Sequence, residues 1–352
     1  MAEDSVGRTP ASRLASLQIL RGLAAWIVVF HHFMQLFFNF QCSHWLSCFV
    51  AQRGNVGVDV FFVISGFVMV VTTHGRGMTP RTFAAKRVAR IVPAYWLWTA
   101  ILAALVLALP NGLYPYGISS HSAVFESALL SIFFVPHQNP AAYGLFPLLT
   151  VGWSLNYEML FYAVFAASLV LQGTRQLLLV GAVLVLLSSF WPWRLPLSEF
   201  LHNKLIWEFL YGVLLGWCFA TRRLPMNKAA GAVLAILGIA FIAAFSPQYR
   251  AMTWGLGSLL IVYGALCLED HAARLRLLVR LGDLSYSTYL GHCVVLFLLV
   301  DIHRSIGQPG LWPMFLLVGV VATLGFSVLS FEFIESRGSV RLQKMLIRAK
   351  GA

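Results

Sequence analysis

The chain has 352 residues, of which 59% are hydrophobic and only 11% are charged, and its mean hydropathy is +0.78. A soluble domain carries about 25% charged residues, so the composition excludes an ordinary soluble protein and predicts an all-α protein with many transmembrane helices. The formal net charge of +12 does not indicate nucleic-acid binding, because the basic residues cluster in loops between apolar segments.

Ten apolar segments predict membrane-spanning helices. In chain order they cover residues 14–38, 55–73, 93–110, 152–171, 176–193, 203–220, 229–246, 252–268, 284–302 and 311–333. A further apolar stretch, residues 122–136 with Glu126 inside it, has only about 15 residues. That length favours an interfacial or re-entrant segment over a span.

Positive charge predicts how these helices are oriented, because loops rich in Lys and Arg stay in the cytoplasm. With ten spans and residues 122–136 kept outside, one face carries most of the 25 Lys and Arg residues. The other face keeps Arg53, Arg194, Lys204, Arg250 and Arg304. A span at 122–136 would invert every later loop. We therefore predict that both termini are cytoplasmic, with a tail at 1–13, a membrane domain at 14–335 and a basic tail at 336–352.

Arg21 and His32 lie in the first apolar segment, where an ionisable side chain costs roughly 2.5–3.5 kcal/mol on insertion scales. Their spacing in the sequence places both side chains on one face of a helix, about 16 Å apart along its axis. His31 points about 100° away, so the spacing selects His32. A neutral imidazole in such a site can act as a general base. The alternative is a histidine that only hydrogen-bonds to a neighbouring helix.

The cysteines leave two interpretations open. Cys42 and Cys48 lie in the first predicted outer loop, where an oxidising periplasm would allow a disulfide, and two free thiols are the alternative. Cys218, Cys267 and Cys293 are predicted to be packing residues. We find no metal-ligand spacing among Cys and His, so no metal is expected.

Asp59 and the pair Arg87 and Arg90 lie near the ends of predicted spans. Asp59 can stabilise the start of its helix, where a carboxylate is favoured, or take part in catalysis. Arg87 and Arg90 are three residues apart and share a helix face, which suits bidentate contacts with phosphates. Ordinary anchoring by positive loops is the alternative for both arginines.

Further polar residues lie within or at the ends of the later spans. Glu158 lies inside a predicted span, where a carboxylate is costly, so it needs either a polar partner or a functional role. His292 is predicted about two turns inside the cytoplasmic end of the span at 284–302. Glu332 and Glu335, followed by Arg337, close the last helix and are interpreted as a local ion-pair anchor.

Five sequence blocks, in this order, resemble acyltransferase family 3, a family of integral membrane proteins. The blocks are Arg21-x10-His32, G-V-D-x-F-F-x-I-S-G-F at 57–67, R-x-x-R-I-x-P-x-Y at 87–95, W-S-L-x-x-E at 153–158 and S-Y-S-x-Y-L-x-H at 285–292. The resemblance extends from about residue 14 to 340 and is strongest to an exopolysaccharide acetyltransferase branch. The chain departs from the common W-S-L-x-V-E-E pattern, because Tyr157 replaces Val and Met159 replaces the second Glu.

The resemblance implies an enzyme of the bacterial inner membrane that transfers an acetyl group from acetyl-CoA, its co-substrate, to a sugar hydroxyl. The implied acceptor is an exopolysaccharide or a polyprenyl-linked oligosaccharide, in contact with membrane lipid and with the machinery of polysaccharide synthesis. The expected catalytic residues are His32, Glu158 and Asp59. The expected acyl-CoA-binding residues are Arg21, Arg87, Arg90 and His292. Transfer is expected either directly, with His32 as general base, or through acylated His32 or Ser65.

Two other classes compete with an acyltransferase. One is a transporter or exporter of acylated glycans, but we find no convincing repeat between the two halves of the chain, as transporters often have. The other is a structural subunit of a polysaccharide synthase. Buried ionisable residues argue against that class, because each costs insertion energy without a task.

Overall fold

The computed structural model describes residues 14–109, 112–117, 120–194 and 197–348, and the predicted tail at 1–13 lies outside them. Within those ranges the chain is helical, with two isolated β-bridges and no strand. The α-helices are α1 (Ala15–Phe38), α2 (Trp45–Arg53), α3 (Gly57–Thr73), α4 (Pro80–Ala108), α5 (His121–Ile132), α6 (Trp153–Ser168), α7 (Thr174–Phe190), α8 (Ser198–Leu201), α9 (Ile206–Ala220), α10 (Lys228–Ala244), α11 (Leu256–Cys267), α12 (Glu269–Ala272), α13 (Arg276–Asp283), α14 (Ser285–Ile306), α15 (Trp312–Ser330) and α16 (Ser339–Arg348). The all-α prediction is confirmed.

Local sequence signals set several helix ends. Thr79 precedes α4, and its hydroxyl oxygen accepts a hydrogen bond from the backbone N–H of Thr82. At the start of α10, the side-chain amide oxygen of Asn227 accepts a hydrogen bond from the backbone N–H of Ala230. Such side-chain acceptors satisfy backbone donors that have no partner within the helix. At its other end, α14 stops at Gly307, whose φ of 68° is a left-handed conformation that glycine adopts without strain.

Five helical stretches are long and apolar enough to cross a membrane: Ala15–Phe38, Trp45–Thr73, Pro80–Ala108, Ser285–Ile306 and Pro309–Ile347. Each of the other five predicted spans coincides with a shorter helix, namely α6, α7, α9, α10 or α11. A helix of 17 residues, the length of α7 and α10, extends about 26 Å, against about 30 Å for the hydrocarbon core. The ten helices are thus present, while their ten crossings and the cytoplasmic termini stay predictions.

The helices α1, α3, α4 and α14 surround the centre of the protein. The first helix packs against α3, α13 and α14, and α14 packs in turn against α4 and α15. Glycines bring α3 and α9 unusually close together. A Cβ atom added to Gly66 would lie 2.2 Å from the carbonyl oxygen of Phe209, and one added to Gly212 would lie 2.0 Å from that of Val63. Small residues allow this approach of two backbones.

The apolar stretch at 122–136 forms α5, a helix of 12 residues with a length of about 18 Å. It lies against α4, where the indole N–H of Trp96 donates to the carbonyl of Ile132 over 3.0 Å. A helix this short is not expected to cross a bilayer, whereas α11, of equal length, continues a π-helical segment, Ala251–Gly255. The length of α5 supports the prediction that 122–136 is not a span.

Cys42 and Cys48 form a disulfide, which decides between the two alternatives that the sequence left open. Cys218, Cys267 and Cys293 are free, and the last two are buried, as expected of packing residues.

The segment predicted as a basic C-terminal tail is folded as far as it is described. A π-helical segment, Phe331–Gly338, leads into α16, and the guanidinium of Arg81 on α4 donates to the carbonyl of Leu346. Residues 349–352 lie outside the described part. The C-terminal helix therefore covers one end of α4.

Candidate active site

A cavity of about 380 Å³ lies among α1, α3, α4, α6, α14 and the C-terminal helices. Its charged lining residues are Arg21, Lys86, Arg87, Arg90, Glu158 and Glu335. We call it the arginine cavity. It brings Arg21 and Glu158 together with the neighbouring pair Arg87 and Arg90, although these three parts of the sequence are far apart along the chain.

Within the described part of the chain, these arginines have no counter-ion in contact. Arg21, Arg87 and Arg90 form no salt bridge with any residue that the structure describes. The Cζ atom of Arg87 lies 5.2 Å from the ring centroid of Phe83 and 5.6 Å from that of Tyr162, and its buried Nε has no hydrogen-bond partner among the described atoms. Clustered cations are costly away from water unless an anion joins them. Guanidinium groups pair with phosphates bidentately, so the cavity suits a phosphate-bearing ligand.

Two carboxylates on the wall of the arginine cavity are held by hydroxyl groups. Glu158 accepts hydrogen bonds from Ser65, over 3.1 Å, and from Tyr162. Glu335 accepts one from Ser287. Each carboxylate partly offsets the positive charge of the cavity and fixes neighbouring side chains.

The structure overturns the interpretation of Glu335 as part of a local ion pair with Arg337. Glu335 is buried and faces the cavity, whereas the guanidinium of Arg337 lies over the ring of Phe333. The salt bridge at this end of the chain joins Glu332 to Arg280 over 2.7 Å. Glu335 is a cavity residue that the sequence reasoning missed, although its π-helical segment is a type of distortion found frequently at functional sites.

His32 lines a second, smaller cavity of about 100 Å³, formed with α1 by the loop before α6, the start of α6 and α14. Tyr143, Trp153, Cys293 and Phe297 are among its other lining residues. We call it the histidine cavity. Arg21 and His32 share α1, so the parts of the two cavities that these two residues line lie about 16 Å apart along that helix.

His32 makes its closest polar contact with His292 of α14. The Nδ1 atom of His32 lies 2.9 Å from Nε2 of His292, and Nδ1 of His292 lies 3.0 Å from the carbonyl oxygen of Thr288. His31, by contrast, turns toward the carbonyl of Val50. The two adjacent histidines therefore contact different parts of the protein, and the choice of His32 as the functional one stays a prediction. The structure places His292 with His32 and not around the arginine cavity, where the sequence had grouped it.

A thin partition separates the two cavities. The hydroxyl of Tyr289 lies 2.9 Å from that of Ser154 and 3.0 Å from the carbonyl oxygen of Val151. Ser154 and Tyr289 line the arginine cavity, and Val151 lines the histidine cavity. We call these three residues the septum. This hydrogen-bonded contact therefore lies between the two cavities.

Asp59 lines neither cavity. Its two carboxylate oxygens accept hydrogen bonds from Nε and Nη2 of Arg250 over 2.9 and 2.7 Å. Nη2 of Arg250 also donates to the carbonyl of Asn55. This bidentate pair joins the start of α3 to the segment before α11 and gives Asp59 a structural partner. Sequence reasoning had assigned Arg250 only to a predicted outer loop.

The histidine cavity also contains a possible ligand set that the sequence spacing did not predict. His32, His292 and Cys293 each place one potential ligand atom within 4.8 Å of the others. The distance of 2.9 Å between the two histidine nitrogens is that of a hydrogen bond.

A helical membrane protein with an arginine-lined cavity and a histidine-lined cavity on the two sides of one septum has the components of a group-transfer enzyme. The family model for the acyltransferase domain matches residues 14–332. The chain belongs to acyltransferase family 3, and it is an acyltransferase.

Named relatives agree with this class. The chain is 35% identical over 302 residues to the exopolysaccharide production protein ExoZ of Rhizobium meliloti, which covers 84% of this chain and 90% of that protein. It is 26% identical to nodulation protein 10 of Rhizobium leguminosarum, over 83% of each chain. It is also 26% identical to the peptidoglycan O-acetyltransferase OatA of Listeria monocytogenes, over 91% of this chain and 55% of that protein. No solved structure matches the chain.

Proposed function

We propose that this protein is an O-acetyltransferase of the bacterial inner membrane. It moves an acetyl group from acetyl-CoA on the cytoplasmic side to a hydroxyl group of an exopolysaccharide or its lipid-linked precursor. The observation that carries the proposal is the arginine cavity, where three guanidinium groups meet without a salt bridge to any described residue. The names of the relatives support a polysaccharide acceptor.

The proposed donor fits the two cavities in a defined way. Arg21, Arg87 and Arg90 hold the phosphates of CoA, because guanidinium donors match phosphate oxygens in charge and geometry. The long, thin pantetheine arm then extends toward the septum and brings the thioester close to His32. The disulfide between Cys42 and Cys48 supports an oxidising compartment at the other end of α1, where the acceptor glycan arrives.

His32 acts as the general base in this proposal. Its imidazole takes the proton of the acceptor hydroxyl while the hydroxyl oxygen attacks the thioester carbonyl. The new C–O bond forms, the C–S bond breaks, and the proton returns from the imidazole to the CoA thiolate. Glu158 is assigned a positioning role, because it holds Ser65 and Tyr162 at the cavity wall.

Binding and transfer, measured separately in the purified protein in lipid nanodiscs, test the proposal. Arg87→Ala is expected to weaken acetyl-CoA binding roughly 10- to 100-fold, the effect of losing one or two charged hydrogen bonds. Arg223→Ala, an exposed arginine outside the cavity, serves as the matched control and is expected to bind like the wild type.

His32→Ala is expected to bind acetyl-CoA normally and to transfer no acetyl group. Full acetylation of polysaccharide by a well-folded His32→Ala protein would refute the assigned role.

A further inference from the structure

The contact between His32 and His292 indicates which ring nitrogens carry protons. A hydrogen bond between two imidazole nitrogens requires one N–H and one lone pair, and neutral imidazole has only one of each. His292 is fully buried, and no described carboxylate forms a salt bridge with either histidine. A buried charge without a partner is strongly disfavoured, so both rings are neutral.

The backbone of α14 decides which nitrogen of His292 carries the proton. Its Nδ1 lies 3.0 Å from the carbonyl oxygen of Thr288, and a carbonyl can only accept. The proton of His292 is therefore on Nδ1, and Nε2 has the lone pair. The thiol of Cys293, 3.6 Å from this Nε2, is a weak donor and does not compete with the contact at 2.9 Å from His32.

The direction of the second hydrogen bond follows from the first. Since Nε2 of His292 accepts, Nδ1 of His32 must donate. The single proton of His32 is then on Nδ1, which leaves the lone pair on Nε2. No hydrogen bond from a described residue occupies that atom, and His32 lines the histidine cavity. This is the tautomer that a general base at the cavity needs.

We propose that His292 is the positioning residue of His32: it accepts the Nδ1 proton of His32 and keeps Nε2 unprotonated toward the cavity. The proposal deepens the proposed function and rests on it for the role of His32 as base. A partner on the remote nitrogen fixes both the tautomer and the ring orientation of a functional histidine. His292 thereby acts through His32 and takes no part in binding the donor.

The functional test compares three variants in proteoliposomes, with ¹⁴C-acetyl-CoA as donor and polysaccharide from a strain that lacks this protein as acceptor. His292→Leu removes the acceptor and is expected to lower kcat roughly 100-fold, within the range that general-base catalysis supplies. The KM for acetyl-CoA is expected to stay unchanged. His292→Gln, whose carbonyl can accept the Nδ1 proton, is expected to retain activity within about tenfold of the wild type. Cys267→Ala, a buried free cysteine on α11 that lines neither cavity, is the control and keeps its activity.

A second measurement does not depend on turnover. Solid-state ¹⁵N NMR of histidine-labelled wild-type protein in bilayers reports the tautomer of each ring. The pair of ¹⁵N signals that is lost in His292→Gln belongs to His292 and is expected to be that of a neutral ring with its proton on Nδ1. The His32 signals are expected to show the same tautomer.

The outcomes separate this proposal from the proposed function. Normal kcat in His292→Leu, or a His32 ring with its proton on Nε2, overturns the positioning role while the acyltransferase stands. A raised KM for acetyl-CoA with unchanged kcat shows that His292 binds the donor and overturns it as well. A stoichiometric metal ion in the isolated wild-type protein that is lost in Cys293→Ala also overturns it. Undiminished acetylation by His32→Ala contradicts the proposed function itself.

Discussion

Asp59 and Arg250 form a bidentate ion pair in which the carboxylate side chain has no solvent exposure and the arginine side chain is 20% exposed. Removing the Asp59 carboxylate leaves Arg250 with the carbonyl of Asn55 and the nearby buried carboxyl group of Glu208, and breaking a buried ion pair costs about 3 kcal/mol. We therefore expect Asp59→Ala to lower the thermal unfolding midpoint of the purified protein markedly. The double variant Asp59→Ala/Arg250→Met removes both charges and is expected to recover most of the loss. An active double variant would exclude Asp59 as a catalytic residue, whereas a stable but inactive one that still binds acetyl-CoA would support the prediction from the sequence.

For Glu335 we predict that a substitution strengthens the binding of acetyl-CoA. Its carboxylate lines the arginine cavity and opposes the positive charge that we assign to phosphate binding. Glu335→Gln preserves a hydrogen-bond acceptor for Ser287 and removes one negative charge, so acetyl-CoA is expected to bind roughly three- to tenfold more tightly at low salt. The gain is expected to shrink as ionic strength rises. Titration at two salt concentrations measures both effects.

Glu332 offers the matched control for this experiment. It lies three residues away, pairs with Arg280 over 2.7 Å and does not line the cavity. Glu332→Gln is expected to leave the affinity for acetyl-CoA unchanged. Equal effects of the two substitutions would mean that Glu335 acts through the general charge of the protein and not within the cavity.

Single residues show where the sequence was informative about the site. An arginine, a glutamate or a histidine in an apolar segment is expensive enough to stand out, and Arg21, His32 and Glu158 were found in this way, whereas Arg87 and Arg90 were found from their spacing on one helix face. The sequence could not show which helix each side chain faces. His292 was grouped with the arginines from its predicted depth alone, and Glu335 was assigned to Arg337, although residues two apart do not face each other on a helix.

At the level of the helices, the close packing of α3 against α9 depends on glycine. Gly66→Ala and Gly212→Ala would each place a Cβ atom within 2.2 Å of a carbonyl oxygen on the facing helix, so the backbones have to separate. Overpacking of this kind typically costs about 1–3 kcal/mol. We expect both variants to unfold at lower temperature than the wild type in detergent. Gly181→Ala on α7, where a Cβ atom meets nothing within 4 Å, is the control and is expected to unfold like the wild type or slightly higher. Equal stability of all three variants would contradict a tight interface.

The helices themselves were predicted well, because long apolar segments determine them directly. Each of the ten predicted segments coincides with a helix, and the ends lie within a few residues of the expected ones except at the start of α4, which begins at Pro80 and not at residue 93. The short amphipathic helices α13 and α16 were not predicted, since they lie in segments that were treated as basic loop and tail. The partners of each helix were not predictable either, because close approaches such as that of Gly66 to α9 join residues that are distant in the chain.

For the whole molecule, the ten-span topology is open to a direct test. It places the segment around Gln248 outside the cell and the segment around Arg223 in the cytoplasm. Alkaline phosphatase fused after residue 248 is expected to be active and after residue 223 inactive, and green fluorescent protein is expected to give the reverse pattern. A topology in which α5 crosses the membrane inverts both results, so either outcome decides between the two arrangements.

The septum of Val151, Ser154 and Tyr289 has a consequence for how the proposed reaction depends on membrane voltage. In the proposed reaction CoA enters the arginine cavity from the cytoplasm and the acceptor reaches His32 from the other side, so if water fills both cavities most of the transmembrane voltage falls across this thin barrier. When the acetyl group moves from the CoA sulfur to the acceptor oxygen, the formal equivalent of an acyl cation crosses the septum outward. The proton of the acceptor hydroxyl is released in exchange. If His32 passes that proton inward to the CoA thiolate, no net charge crosses and turnover is independent of voltage. If the proton is released outward, each turnover moves one positive charge against the potential, at about 2.3 kcal/mol per 100 mV.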